Sequence, residues 1–109
     1  MKPFPPALKE RRRYIAVSVV AEQPVSDDSV NKALNSAVFS LLGEKGFADA
    51  DFSVLEFQGG RGIARASTGS LYDVLAALAF LSSVDGVRAR CDATAVSGTV
   101  RRLRRKQSI

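Results

Sequence analysis

Apolar and polar residues alternate along "YIAVSVVA" (residues 14–21), which puts Ile15, Val17 and Val19 on one face and predicts a half-buried strand. The period then lengthens. Val30, Ala33, Leu34, Ala37, Val38, Leu41 and Leu42 recur at steps of three and four, forming a single apolar helical stripe. Ser26 is placed to cap this helix, Asp27 and Asp28 suit the positive end of its dipole, and Gly43 or Gly46 is expected to end it. "DFSVLEF" (51–57) reads as a second strand, Gln58-Gly59-Gly60 as a tight turn, and Arg61 to Ala66 as a third strand returning antiparallel. Gly69-Ser70 precede a second helix from Leu71 to about Ser83, with Asp85-Gly86 as its stop. The last strand, Val87 to Val96, carries Val87, Ala89, Cys91, Ala93 and Ala95 on one face and Arg88, Arg90, Asp92 and Thr94 on the other.

Strand, helix, hairpin, helix, strand with two right-handed crossovers predicts an α+β fold. It is a ferredoxin-like (RRM-like) α/β sandwich, a four-stranded antiparallel sheet with two main helices on one face. One domain accounts for all 109 residues. The second helix is anomalous, because from Leu71 to Leu81 every residue but Asp73 is apolar. A soluble helix with no polar outside implies cover, so Tyr72, Ala76 and Phe80 are expected in a protein interface, the alternative being that the N-terminal arm or C-terminal tail folds over them.

Charge changes the picture more than composition does. Residues 1–13 hold Lys2, Lys9, Arg11, Arg12 and Arg13 against Glu10 alone, and residues 99–109 hold Arg101, Arg102, Arg104, Arg105 and Lys106 with no acid. These basic N- and C-terminal arms sum to +9 in a chain of net charge +5, so the body between them is net −4. Two cationic arms flanking an acidic body suggest capture of a polyanion. Pro3-Phe4-Pro5-Pro6 is expected to be extended, and it takes the place an apolar leader segment would occupy. With no histidine and one cysteine the usual metal clusters and any internal disulfide are unavailable, so no metal site, no bound cofactor and no catalytic constellation is assigned. Asp27 with Asp28 is explained by helix capping, and Asp49 with Asp51 by a solvated turn. The longest apolar run is too short to span a bilayer, and an intracellular, cytoplasmic setting is expected.

The third strand, within "RGIARAST" (61–68), has nearly the spacing with which the RNA-recognition fold stacks bases, yet the aromatic slots hold Ile63, Arg65 and Thr68. Alternation assigns Gly62, Ala64 and Ala66 to the helix side and Arg61, Ile63 and Arg65 to the open face. Without an aromatic pair that face forfeits most base stacking, and its guanidinium groups suit phosphates and 2′-hydroxyls instead. The candidate RNA-binding residues are therefore Arg11, Arg12, Arg13, Tyr14, Arg61, Arg65, Thr99, Arg101, Arg102, Arg104, Arg105 and Lys106. Tyr14 offers a ring to a base or packs on the sheet edge. Thr99 offers donors to a phosphate, or the Ser97-Gly98-Thr99 stretch is simply a turn.

Three segments together resemble one family. "PPALKERRRYIAVSVV" (5–20) is similar to its Pro-Pro lead, basic run and Arg-Tyr-Ile strand start; "GGRGIARAS" (59–67) to its Gly-Ile-Val-Arg segment; and "VSGTVRRLRRK" (96–106) to its Ser-Gly-Thr-Ile-Lys/Arg ending. The chain resembles the archaeal form of the Pop-five/Rpp-fourteen family of ribonuclease P protein subunits, with the mild departures Ala64 and Val100. The resemblance implies a protein that stabilises the catalytic RNA which, using magnesium, removes the 5′ leader of precursor tRNA. It also implies a TIM-barrel-like partner subunit (Rpp-thirty in words) and a homodimer within a two-plus-two assembly. Two other functions share the fold: another RNA-scaffolding protein of ribosomal type, which charge does not exclude, and a small-molecule regulatory or acylphosphatase-like module, against which the paired basic arms stand.

Overall fold

The computed structural model describes residues 11–107, so the prolines at 3, 5 and 6 and the cations Lys2 and Lys9 lie outside the described residues. The chain runs β1 (Arg12–Ala21), α1 (Asp27–Ala50), β2 (Ser53–Gln58), β3 (Arg61–Ser67), a 3-10 turn (Thr68–Ser70), α2 (Leu71–Ala79), β4 (Ser83–Val84), β5 (Val87–Ser97) and α3 (Val100–Gln107). The sheet is antiparallel in the order β2-β3-β1-β5-β4.

One face of the sheet carries the main core. Ile15, Val17 and Val19 of β1 meet Val30, Leu34 and Val38 of α1 and Val74, Ala77 and Leu78 of α2. Ala64 and Ala66 of β3 lie in the same core, where their small side chains let the helices come close. Ser26 caps α1 as its sequence position demands, its hydroxyl accepting from the Ser29 N–H at 3.1 Å.

Four features depart from the sequence pattern, each for a local reason. The sheet has five strands and not four. Asp85-Gly86, expected to stop α2, is a two-residue hairpin turn with both φ angles positive (51° and 80°), and it pairs Ser83–Val84 with Val87–Arg88. Accordingly α2 ends at Ala79, four residues early, and Leu81 is buried as part of the connection. In α1, Gly43 (φ 76°, ψ 179°) is non-helical and ends the first helical stretch, as its position suggests, but a second stretch that the sequence pattern does not show follows to Ala50 and brings Phe47 and Ala50 to the core. In β5, Ala16 pairs with Ala95 but Val17 with Ala93, so Thr94 is a bulge, its hydroxyl donating to the Ala16 carbonyl at 3.3 Å. Beyond the bulge the alternation flips. Ala89 and Cys91 face the main core, whereas Ala95 faces the other side.

On that other side lies a second, smaller core: Ala16, Ile63 and the fully buried Leu103, with Tyr14, Ala95 and Val100 packed around them. The basic C-terminal segment is thus an amphipathic helix seated on the sheet face opposite α1 and α2. Ile63, expected on an open face, is completely covered by it.

Cys91 is buried, and its thiol is pushed up to about 11 from an ordinary 9.0, first by burial and then by the charge of Asp92. The fold favours the neutral thiol, so this contribution to stability is complete below pH 9.0 and is lost as pH climbs through about 11. Iodoacetamide at pH 8 is expected to label the native protein on the order of a hundredfold more slowly than the urea-unfolded chain, since two pKa units separate the thiolate fractions. Equal rates would mean that the thiol is open to solvent.

Candidate nucleic-acid interface

The two basic segments, nearly ninety residues apart, meet on the sheet. β1 begins inside the first of them: Arg12 pairs with Ser67, Arg13 with Ala66, and Tyr14 with Arg65 on one side and Ser97 on the other. Since α3 starts three residues after Ser97, β1–β5 pairing sets the N-terminal arginines beside the C-terminal helix. The Thr68 hydroxyl and N–H both donate to the Arg11 carbonyl, at 2.6 and 2.7 Å, which fixes the entry of the chain. Ser67 donates to the Asp49 carbonyl at 3.0 Å and ties the end of β3 to the end of α1.

Between these elements lies a cleft of about 920 Å³ lined by Arg11, Arg12, Arg13, Tyr14, Asp49, Asp51, Ser67 and Gly98. Its arginines are in different states. Arg12 is held by Asp51 (Nη2–Oδ2 2.8 Å), and the other oxygen of the same carboxylate lies 3.8 Å from Arg65 Nη2. Arg65 is mostly covered, and its buried Nε has no hydrogen-bond acceptor among the described residues. Arg11 is exposed. The guanidinium of Arg13 lies along Gly98, close enough that a Cβ there would sit 3.4 Å from Nη1. Gly98 thus serves as the floor under Arg13 as well as a bend in the chain. Tyr14 is half-buried against the second core, one edge packed and the other on the cleft.

Thr99 accepts from the Arg102 N–H at 3.3 Å and donates its own N–H to the Ser97 hydroxyl at 3.2 Å, so it acts as the cap of α3. Val100 and Leu103 face the sheet, while Arg101, Arg102, Arg104 and Arg105 are exposed; the side chain of Lys106 lies outside the described residues. Arg104 forks onto Glu56 of β2, Nη2–Oε2 at 3.0 Å and Nε–Oε1 at 3.4 Å. Arg61 is exposed but stands apart. It pairs with Ser18, four residues from the Tyr14–Arg65 rung, or about 13 Å along the strand. Arg88 and Arg90 each face an acid, Glu22 and Asp92, at 3.9 and 3.4 Å. Sequence reasoning missed the acids of this surface, Asp51 and Glu56, and the seat of α3. A signal for the latter exists: Val100 and Leu103 stand three apart behind a capping threonine.

On the opposite side of the molecule, Tyr72 and Phe80 are 84% and 73% exposed and Ala76 is exposed too, while Val74, Ala77 and Leu78 fill the core. Phe80 also borders a groove of about 380 Å³ between α1 and the segment that follows α2, lined on the α1 side by Ala33, Ala37 and Leu41. Among the described residues no three His, Cys, Asp or Glu gather as metal ligands, and no helix is long and apolar enough to cross a membrane.

Comparison with known proteins agrees with this layout. The Rpp14/Pop5 family profile matches residues 13–107. Ribonuclease P protein component 2 of Archaeoglobus fulgidus is 40% identical over 106 residues, spanning 97% of this chain and 96% of that one. The proteins of the same name from Methanosarcina mazei and Pyrococcus furiosus are 37% and 36% identical, over 97% and 96% of this chain and 91% and 89% of theirs. A chain in the cryo-EM structure of yeast ribonuclease MRP has the same fold, with a TM-score of 0.68 at 15% identity over 99% of this chain and 92% of that one.

Proposed function

The chain belongs to the Rpp14/Pop5 family, and from that premise we propose that it is a protein subunit of ribonuclease P. It binds and stabilises the catalytic RNA that removes the 5′ leader from precursor tRNA. The observation that carries the reading is the meeting of the two basic segments: Arg11 and Arg13 at the cleft and Arg101, Arg102 and Arg105 on α3 lie on either side of the Tyr14–Ser97 rung. Cations gathered from both chain ends onto one surface suit a phosphate backbone. Tyr14 adds a ring edge for a base or ribose. The order β2-β3-β1-β5 of the four longer strands supports reading the sheet as a ferredoxin-like one, with β4 added at its edge. Magnesium belongs to the RNA in this reading, and the chain supplies no catalytic group.

The test is reconstitution in the cytoplasmic ionic range: RNA alone against RNA with this protein and its TIM-barrel-like partner, assayed for leader removal at moderate magnesium. A gain in cleavage on adding the pair is expected, and no gain overturns the assignment. Recovery of ribosomal RNA in place of one structured RNA from cells would favour the ribosomal-type alternative.

The exposed apolar side of α2 is the surface for protein partners, either the TIM-barrel-like subunit or a second copy in a two-plus-two assembly. Phe80→Glu puts a charge into that surface without touching the core, since Phe80 is mostly exposed in the isolated chain. Light scattering is expected to show loss of the complex with partner or of the dimer, with an unchanged melting temperature. Assembly indifferent to Phe80→Glu would move the interface elsewhere.

A further inference from the structure

Both arginine clusters of the RNA-facing surface are part-neutralised by acids of the body. Asp51 closes α1 in a left-handed conformation (φ 48°, ψ 43°), with its N–H on the Ala48 carbonyl, and this backbone turns its carboxylate into the cleft. There each carboxylate oxygen faces a different guanidinium, Arg12 at 2.8 Å and Arg65 at 3.8 Å. That is how the two non-bridging oxygens of a phosphodiester would be divided between two arginines. Among the described residues the buried Nε–H of Arg65 still has no acceptor, so one carboxylate leaves the site short of oxygens. At the other cluster Glu56 spends both oxygens on Arg104 of α3. These pairs are about half-exposed, which makes them cheap to exchange for another anion.

We propose that Asp51 and Glu56 are specificity-determining residues that stand in for RNA phosphates and must be displaced by them. The inference rests on the RNA-binding reading. An unstructured RNA that meets the surface a few phosphates at a time must displace the carboxylates with little in return. A folded RNA that at once engages the arginines with no acid partner among the described residues gains enough to do so. The acids therefore weaken binding to the wrong RNA more than to the right one, a form of discrimination by competition.

Asp51→Asn keeps the left-handed turn, which asparagine tolerates, and removes the charge without disturbing α3; Glu56→Gln is the matching change at the other cluster. Binding of ribonuclease P RNA and of poly(U) is measured for wild type, each single variant and the double, across salt from 50 to 200 mM. For poly(U) the double variant is expected to bind about tenfold tighter, with a salt slope steeper by about 1.4, two further single-strand phosphate contacts. For ribonuclease P RNA the change should stay within about threefold, so the ratio between the two RNAs falls. Parallel loss on both RNAs would show that the acids position the arginines, and an unchanged ratio would show that they do nothing for specificity; either result overturns the inference alone. The Asp51→Asn single variant decides the matter should Glu56→Gln release α3. Wild-type protein that binds neither RNA overturns the RNA-binding reading as well.

Discussion

Leu103→Ala is expected to free α3 from the sheet while leaving the main core folded. Truncating a fully buried leucine costs about 2–5 kcal/mol. Apart from the part-buried Val100, little else holds the helix. At eight residues it is well below the roughly 12–15 at which isolated helices become even marginal. Its cations repel one another at i,i+3 and i,i+4, and Arg101 and Arg102 sit at the unfavourable positive end of the dipole. The Thr99 cap contributes about 1 kcal/mol and the exposed Arg104–Glu56 pair about 0.2–1 kcal/mol. Together they do not offset the loss of Leu103. Limited trypsinolysis should cut the variant rapidly at Arg101 to Arg105, where the wild type is protected. RNA affinity should fall at least about tenfold, because ordering the segment must then come out of binding energy. A variant whose tail resists trypsin like the wild type would mean that the helix is not anchored through the second core.

The second large effect is electrostatic. Arg11, Arg13, Arg101, Arg102 and Arg105 are the arginines of this surface for which no acid is seen within ion-pair distance among the described residues. If all five meet phosphates, wild-type affinity should drop roughly a hundredfold between 50 and 200 mM salt. Replacing all five by glutamine should flatten that dependence almost completely and weaken binding at 50 mM salt by several orders of magnitude. Circular dichroism should stay unchanged, since none of the five fills a core. A similar change confined to the opposite side, such as Phe80→Glu, should leave the salt slope alone.

Much of this was legible in the sequence. The alternation of Ile15, Val17 and Val19, the stripe from Val30 to Leu42 with its Ser26 cap, and the small residues Ala64 and Ala66 under the helices all follow from period and propensity. What was not legible depended on tertiary context. Asp85-Gly86 serves a hairpin as readily as a helix stop, and only pairing with Val87–Arg88 decides between them. Gly43 does break the helix, and what the pattern hides is the second helical stretch after it, which brings Phe47 and Ala50 to the core. The Thr94 bulge moves Ala95 to the opposite face, which strict alternation cannot anticipate. α3 reads as a cationic tail or a short helix ordered only on contact, because one leucine among five cations carries a faint signal, and its weight comes from the pocket that Ala16 and Ile63 provide. At the site, the segregation of charge pointed to the right segments, while strand register alone brought them together and placed Asp51 and Glu56 among them.

Ultraviolet crosslinking of the protein to ribonuclease P RNA, followed by mass spectrometry of the crosslinked peptides, tests most directly whether both chain ends form a single RNA-holding surface. Crosslinks are predicted within residues 11–14, Tyr14 included, and within 98–105 of the same complex, with α2 bare. Crosslinks concentrated on the Tyr72–Phe80 side, with both ends unmodified, would contradict the account.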